Sequence, residues 1–247
     1  MMDLKPRARR ALAAARGATW KLRHRLRQRR VLASVPDQAD FHLGCGSQRI
    51  VGRVNIDVRA TSATDIVADL NRPQLRSARS VVSHAFFEHL YRNDRLPHLE
   101  AVRQALSPDG WVLYLGLPDF HEIARLYLDR APGILSSRFD LYHVYRYTHG
   151  DPEHVEGWWL AQLHKSLFDR DELEALLREA GFGSWIIANY AFDVEPYALN
   201  LAFYARRDDT ASAELALGAL EEFSEQVNLD SVRWSEPFQA PLPSTTS

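Results

Sequence analysis

The chain has 247 residues, 46% of them hydrophobic, and a formal net charge of −2, which predicts one α/β domain with extensions. Its single cysteine, Cys45, excludes an internal disulfide and a cysteine-rich zinc site, and favours a reducing compartment. No apolar run approaches the roughly 20 residues of a membrane-spanning helix, and no secretory signal is recognisable, so we expect a cytoplasmic protein.

The first 30 residues are strongly basic, with eleven Lys and Arg against one acidic residue, Asp3. Leucines and alanines recur at helical spacing and arginines fill the other faces, which predicts a basic amphipathic helix within an extension over 1–38. Such a helix could lie on the anionic inner face of a membrane, bind RNA phosphates, or form a solvated arm. Peripheral attachment of residues 1–30 to a membrane therefore remains one of three alternatives.

From residue 41 onwards, strand patterns alternate with helix patterns. The candidate strands are 41–43, 54–57, 65–68, 80–84 and 111–117. Between the last two strands, Leu96, Leu99 and Val102 share one face of a predicted helix. This alternation predicts a Rossmann-like, doubly wound α/β sheet with right-handed crossovers.

The second half of the chain begins with an interruption over 129–165, which is rich in Tyr, His and Trp. The stretch FDRDELEALLREAGF then predicts a helix that Asp169 caps and Gly181 ends. Two strand patterns follow, and the short VEPY connection between them makes them antiparallel neighbours. Residues 208–247 predict one helix and a loose tail, which leaves 39–207 as the domain proper.

The stretch FHLGCGSQRIVGRVNID places a glycine turn between the first two strand patterns. Seven residues lie between Gly46 and Val54. Fully extended, seven residues span about 23 Å, and returning along a five-residue strand already takes about 17 Å. The connection therefore has room for one turn of helix at most.

This short connection bears on the kind of ligand that the turn can bind. A dinucleotide pyrophosphate needs a helix N-terminus and a third glycine, and Arg49 stands where that glycine belongs. We therefore predict a ligand that carries no phosphate at this point. Gly44 and Gly46 permit close backbone approach, and Asp57 can accept hydrogen bonds from both hydroxyls of a ribose.

Six motifs in series carry a resemblance to a known family: HLGCG, NID, DIVADL, SVVSHAFFEHL, LSPDGWVLYLGLPD and HKSLFDRDELEALLREAGF. In order and approximate spacing they resemble class I S-adenosylmethionine-dependent methyltransferases, most of all the small bacterial members with a shortened first crossover. The resemblance covers about residues 40–207. It implies a seven-stranded sheet, mostly parallel, with an antiparallel last strand.

The same resemblance implies how S-adenosylmethionine is bound as the cofactor. Its methionine end would lie over the glycine turn, its ribose on Asp57, and its adenine near Asp69 and Leu70. His84 would end the fourth strand beside the sulfonium. The implied cofactor contacts are Leu43, Gly44, Cys45, Gly46, Asp57, Asp69, Leu70 and His84.

Methyl transfer to a hydroxyl needs a base within about 3 Å of the acceptor oxygen. Histidine suits this role near neutral pH, and ligands of open α/β sheets lie at the strand C-termini. His84 is therefore the first candidate, followed by His164, His89 and the carboxylate of Glu88. Each of the four also has a structural alternative, as a backbone hydrogen-bond partner, a helix cap or a packed polar side chain.

The aromatic insertion is the predicted acceptor-binding lid, because flat amphipathic rings stack on sugars and on aromatic rings alike. The predicted substrate-binding residues are Tyr142, Tyr145, Trp158 and Trp159. The alternative is a packed cap or a dimer surface. Three histidines of the insertion, His143, His149 and His154, have spacings that do not fit a helical metal pair, so no metal site is predicted.

These features predict a methyltransferase that methylates a hydroxyl of a small molecule, such as a sugar of a surface glycan or a natural product. One alternative is an RNA methyltransferase that uses the basic arm. The acidic body of the chain and the absence of an NPPY-like or paired-cysteine motif make a nucleic-acid partner the weaker choice. Another alternative is a non-catalytic partner subunit, and the oligomeric state stays open.

Overall fold

A computed structural model describes residues 34–134, 136–150, 162–192, 196–227 and 232–234. The predictions for the basic segment 1–30, for Trp158 and Trp159, and for the tail beyond 234 lie outside these residues. Within the part of the chain that is described, no helix has the length and the apolarity that a membrane span requires.

The core of the fold is a single mixed sheet with the strand order β3-β2-β1-β4-β5-β7-β6-β8. Strands β1 to β5 run parallel, and β7 runs antiparallel to both of its neighbours. This confirms the predicted seven-stranded sheet with a reversed last strand. The strands are β1 Ala39–Leu43, β2 Val54–Asp57, β3 Ile66–Val67, β4 Ala78–His84, β5 Leu106–Pro118, β6 Ser184–Phe192, β7 Asn200–Arg206 and β8 Val232–Trp234.

The short strand β8 was not predicted. It pairs antiparallel with β6 and so adds an eighth strand at the edge of the sheet. The sequence offers little signal for it, because three residues are too few to show a period-two pattern.

Among the described residues, five α-helices with complete bounds accompany the sheet: α1 Arg92–Ala105, α2 Phe120–Leu128, α3 Leu141–His149, α4 Arg170–Glu179 and α5 Ala213–Val227. A 3-10 turn, Phe87–His89, lies between β4 and α1. Helix α4 begins as the sequence predicts, since the Asp169 carboxylate accepts from the Glu172 N–H at 2.8 Å. Gly181 follows its end with φ +82°, a conformation that favours glycine.

The helices cover the two faces of the sheet unequally. Helices α1 and α4 bury Leu99, Val102, Leu173 and Leu177 against one face. Helix α5 buries Ala216, Leu220 and Phe223 against the other. A smaller apolar cluster joins α2, the approach to α3 and the start of β7 through Ile123, Leu126, Phe139 and Leu199.

The connection from β1 to β2 contains turns but no helix. Its backbone is held instead by the buried side chain of Asn55, on β2. The Asn55 amide donates to the carbonyls of Ile50 and Arg53 at 3.0 and 2.9 Å and to the Asp65 carboxylate at 3.1 Å. Its oxygen accepts from the Ile50 N–H at 2.9 Å and faces the His42 ring nitrogen at 3.1 Å. One side chain thus satisfies polar groups that a helix would have paired internally.

Helix α5 packs on the side of the sheet where the missing crossover helix would lie. Phe223 is fully buried, and its ring centroid lies 6.3 Å from that of His42 and 6.2 Å from that of His84. Arg53, at the end of the helix-free connection, donates to Glu222 at 2.9 Å. The C-terminal helix therefore belongs to the same core as the strands that carry the glycine turn.

Candidate functional site

A cavity of about 230 Å³ opens at the carboxyl ends of the parallel strands. Four of the predicted cofactor contacts line it, namely Gly44, Gly46, Asp57 and Leu70. Ligands of open α/β sheets bind at this edge, where the strand order reverses between β1 and β4. The structure therefore brings the glycine turn and the carboxylate at the end of β2 together around one opening.

Asp57 links the glycine turn after β1 to the residues that follow β2. One oxygen, Oδ2, accepts from the Gly46 N–H at 2.8 Å, and Oδ1 accepts from the Arg59 N–H at 2.7 Å. The residue is 6% exposed and lines the cavity. The Arg59 guanidinium also forms an ion pair with this carboxylate, with its Nε 3.9 Å from Oδ1. Since each carboxylate oxygen has two lone pairs, Asp57 retains acceptor capacity for ligand hydroxyls.

The glycine turn itself requires glycine for two reasons. Gly44 and Gly46 have φ values of +68° and +52°. A Cβ added to Gly44 would also lie 2.6 Å from the Cβ of Phe86. Leu43 and Cys45 are buried behind the turn, and burial raises the pKa of the Cys45 thiol to about 11, so the thiol stays protonated.

We expect Gly44→Ala to destabilise the protein more than Gly52→Ala. Both glycines have positive φ, +68° and +88°, so both substitutions carry a backbone penalty of about 1–2 kcal/mol. Gly52 has nothing within 4 Å of an added Cβ, whereas Gly44 meets Phe86, which adds about 1–3 kcal/mol of overpacking. Urea unfolding of both variants measures the difference, and equal losses would contradict the close approach of Phe86.

The segment after β3 forms another part of the cavity wall, through Leu70 and Asn71. Leu70 is 1% exposed, and its carbonyl accepts from the His98 Nδ1 at 2.5 Å. A carbonyl can only accept, so Nε2 of His98 accepts from the Tyr114 hydroxyl at 2.7 Å. Burial lowers the pKa of His98 to about 4 and keeps the ring neutral. Asp69 is exposed, and its carboxylate accepts from the Asn71 N–H at 2.9 Å in a local turn.

Three of the four predicted catalytic side chains lie together beside this cavity. Glu88, His89 and His164 each offer one ligand atom within 4.8 Å of the others. Glu88 is 1% exposed, and burial raises its pKa to about 8. Burial also lowers the pKa of His89 and lowers that of His164 to about 4, so both rings are neutral. Of the three, His89 is the one that lines the cavity wall.

His84, the first candidate for the base, lies elsewhere. It follows the period-two alternation of β4 and faces α5, where its ring contacts Phe223. Burial lowers the pKa of His84 to about 4. The described residues that line the cavity include its neighbours Ala85 and Phe86 but not His84.

Of the described part of the aromatic insertion, only the C-terminal end reaches the cavity. Gln162 and Lys165 line the cavity, whereas Tyr142 and Tyr145, on α3, are not among its described lining residues. Tyr145 is 48% exposed and stacks on His149 with the ring centroids 4.8 Å apart.

His143, one of the three histidines considered for a metal, has a structural role. It is 1% exposed, donates from Nδ1 to the Asp140 carboxylate at 2.8 Å, and accepts from the Ile134 N–H at 3.2 Å. Both ring nitrogens are therefore used in starting α3 and in holding the segment before it.

Several lining residues were not predicted: Val58, Arg59, Asn71, Ala85, Phe86, Leu90, Gln162 and Lys165. Val58, Arg59 and Ala85 directly follow the end of a parallel strand, which is the signal that could have found them. Ala85 has φ +50°, rare for a residue with a side chain, and a Cβ on Gly116 would lie 2.7 Å from its nitrogen. Such strain is typical of functional sites.

Comparison with known proteins gives matches at the level of structure only. No family model matches the chain, and no curated protein matches its sequence. A SAM-dependent methyltransferase from Thermotoga maritima aligns over 79% of this chain and 96% of its own, at 12% identity and TM-score 0.46. The 1,6-didemethyltoxoflavin-N1-methyltransferase of Burkholderia thailandensis aligns over 85% and 92%, at 15% identity and TM-score 0.44. A SAM-dependent methyltransferase from Methanosarcina mazei aligns over 72% and 97%, at 13% identity and TM-score 0.44.

The strand order, and not these distant alignments, identifies the fold. Five parallel strands in the order 3-2-1-4-5, followed by a reversed β7 and then β6, form the sheet that the sequence resemblance implies. The chain has the Rossmann-like fold of class I S-adenosylmethionine-dependent methyltransferases.

Proposed function

We propose that the protein is an S-adenosylmethionine-dependent methyltransferase whose cofactor binds in the cavity at the glycine turn. The observation that carries this proposal is Asp57, a carboxylate that lines the cavity and holds the Gly46 N–H at 2.8 Å. A ribose placed there would donate its two hydroxyls to the remaining lone pairs of Asp57. Leu70 supplies an apolar surface for the flat base, and Asn71 beside it supplies an amide.

The helix-free connection between β1 and β2 favours this cofactor over a dinucleotide. A pyrophosphate is bound by the free N–H groups and the dipole of a helix N-terminus, and the glycine turn here leads into turns only. The turn offers close approach and individual N–H groups, which suit a neutral ribose and an amino-acid group better than two phosphates.

The acceptor of the methyl group is proposed to be a hydroxyl. When bound, S-adenosylmethionine supplies an activated methyl group: a C–O bond forms as the S–C bond breaks, its electron pair stays on sulfur, and the hydroxyl loses a proton. The protein must align acceptor and methyl group and take up that proton. The polar cluster beside the cavity that can bind the hydroxyl consists of Glu88, His89 and His164. His84 is not part of it, because its ring faces α5.

The proposed substrate class is a small hydroxylated molecule, such as a sugar of a surface glycan or a natural product. Gln162 and Lys165 line the cavity and would offer hydrogen-bonding groups to such a molecule. The exposed ring of Tyr145 offers stacking surface on α3. An RNA substrate, the alternative to a small molecule, would have to bring its methylated atom into the same cavity.

Calorimetry on the full chain tests the cofactor assignment, with S-adenosylmethionine, NAD and ATP as ligands. We expect binding of the first alone. Asp57→Asn should weaken it about 10- to 100-fold, because hydrogen bonds to a charged group contribute about 1.5–3 kcal/mol. Asp209→Asn is the control, since it removes the same charge at an exposed position that is not among the described residues lining the cavity. Binding of NAD without S-adenosylmethionine, or equal affinity in both variants, would overturn the assignment.

A further inference from the structure

The cluster of Glu88, His89 and His164 has the composition of a metal site. Its three ligand atoms lie within 4.8 Å of one another, and Glu88 Oε1 is 3.6 Å from His89 Nε2. Two imidazole nitrogens and a carboxylate oxygen form a donor set that suits zinc and similar divalent transition metals. Ligand atoms around a tetrahedral zinc ion lie about 3.3 Å apart, so binding would draw the three side chains closer together.

The two rings are already oriented as metal ligands usually are. Nδ1 of His89 donates to the Leu163 carbonyl at 3.2 Å, and Nδ1 of His164 donates to the Tyr147 carbonyl at 3.1 Å. In a neutral ring this leaves Nε2 as the nitrogen with a lone pair. Histidines that bind metals commonly donate the other ring N–H to a backbone carbonyl, which fixes the tautomer and the ring plane.

Glu88 supplies the second, independent observation. It is 1% exposed, and its Oε2 has no hydrogen-bond partner among the described residues. A buried carboxylate oxygen without a partner is destabilising, and such groups are rare in folded proteins. A cation bound by the Glu88 carboxylate and the two imidazole nitrogens would remove that cost.

We propose that Glu88, His89 and His164 together bind one divalent transition metal ion of the zinc type. Three protein ligands leave a coordination position open, as in catalytic rather than structural zinc sites. His89 lines the cavity, so the ion would lie next to the space for a hydroxylated substrate, and an oxygen of that substrate would fill the open position. A metal-bound hydroxyl loses its proton more easily than a free one. Binding of the ion stands on the cluster alone, whereas its role towards the acceptor rests on the proposed function.

The sequence predicted no metal site, because the spacings of His143, His149 and His154 fit no helical metal pair and nothing local connects His164 with Glu88 and His89. Glu88 and His89 lie in the 3-10 turn after β4, and His164 lies at the end of the insertion. The fold brings the two segments together through the Lys165 and Ser166 N–H groups, which both donate to the Glu88 carbonyl, at 2.8 and 3.1 Å.

Equilibrium dialysis of the metal-stripped full chain against Zn²⁺ tests the site, with bound zinc measured by mass spectrometry. The variants are His164→Ala and Glu88→Gln, which keeps the shape of the side chain. His121→Ala is the control, since His121 is exposed and lies outside the cluster. We expect the wild type and His121→Ala to bind one zinc ion per chain at the cluster. In His164→Ala and Glu88→Gln the zinc affinity of this site should fall by at least about tenfold, so that they bind one ion fewer. Visible absorption of bound Co²⁺ should disappear in the same variants.

The outcomes separate the ion from the proposed function. Equal zinc binding by the wild type and both ligand variants, with native far-UV circular dichroism, would overturn the metal site. Calorimetry of S-adenosylmethionine on the wild type is run in parallel. If the wild type binds zinc through the cluster but does not bind S-adenosylmethionine, the metal site stands and the proposed function fails. If it binds S-adenosylmethionine and no zinc through the cluster, the function stands and the metal site fails.

Discussion

Replacing Asn55 with alanine is expected to lower the free energy of unfolding by at least about 3 kcal/mol. The side chain makes five short polar contacts, to His42, Ile50, Arg53 and Asp65, and it is fully buried. Alanine would leave the Ile50 N–H and the Arg53 carbonyl without their partner, in a connection that has no helix to pair them. Urea unfolding followed by tryptophan fluorescence measures the change.

Gln48→Ala is the matched control for Asn55→Ala. Gln48 lies in the same connection, is partly exposed, and donates one hydrogen bond, to the Val227 carbonyl at 3.1 Å. Its loss should cost about 1 kcal/mol. Similar losses for the two variants would show that Asn55 does not hold the connection. We also expect weaker S-adenosylmethionine binding by Asn55→Ala at temperatures where it is folded, because the connection carries Gly44 and Gly46.

The parts of the site that the sequence predicted are those that local pattern determines. Gly44, Gly46 and Asp57 each lie at or just beyond the end of a strand, and the alternation of strands and helices places those ends at one edge of a sheet. The cap of α4 by Asp169 follows from the same kind of local signal. Such features depend on a few neighbouring residues, so one sequence is enough to find them.

The parts that the sequence did not predict depend on contacts between distant segments. Nothing in the sequence around His89 shows that its ring will lie 5.3 Å from that of His164. The orientation of His84 was accessible in part, because period-two alternation puts it on the same face as Val82. The sequence pattern did not show that α5 covers this face of the sheet.

The short first crossover links these observations. A full crossover helix would cover the sheet beside β1 and would supply a helix N-terminus at the glycine turn. Without it, Asn55 holds the backbone, and α5 with Arg53 and Glu222 closes the face. The helix-free connection thus favours the proposed ligand without a pyrophosphate, and it leads us to expect that the core depends on a helix from the end of the described chain.

Phe223→Ala should therefore destabilise the protein by about 3–5 kcal/mol, the cost of removing a fully buried phenylalanine. Its ring contacts His42 on β1 and His84 on β4, so the cavity left behind borders the strands that carry the site. Leu215→Ala is the control on the same helix, since Leu215 is 44% exposed and its loss should cost under about 1 kcal/mol. If α5 were only loosely attached, both variants would unfold at the urea concentration of the wild type. A large loss confined to Phe223→Ala would show that the C-terminal helix is a structural part of the methyltransferase fold in this chain.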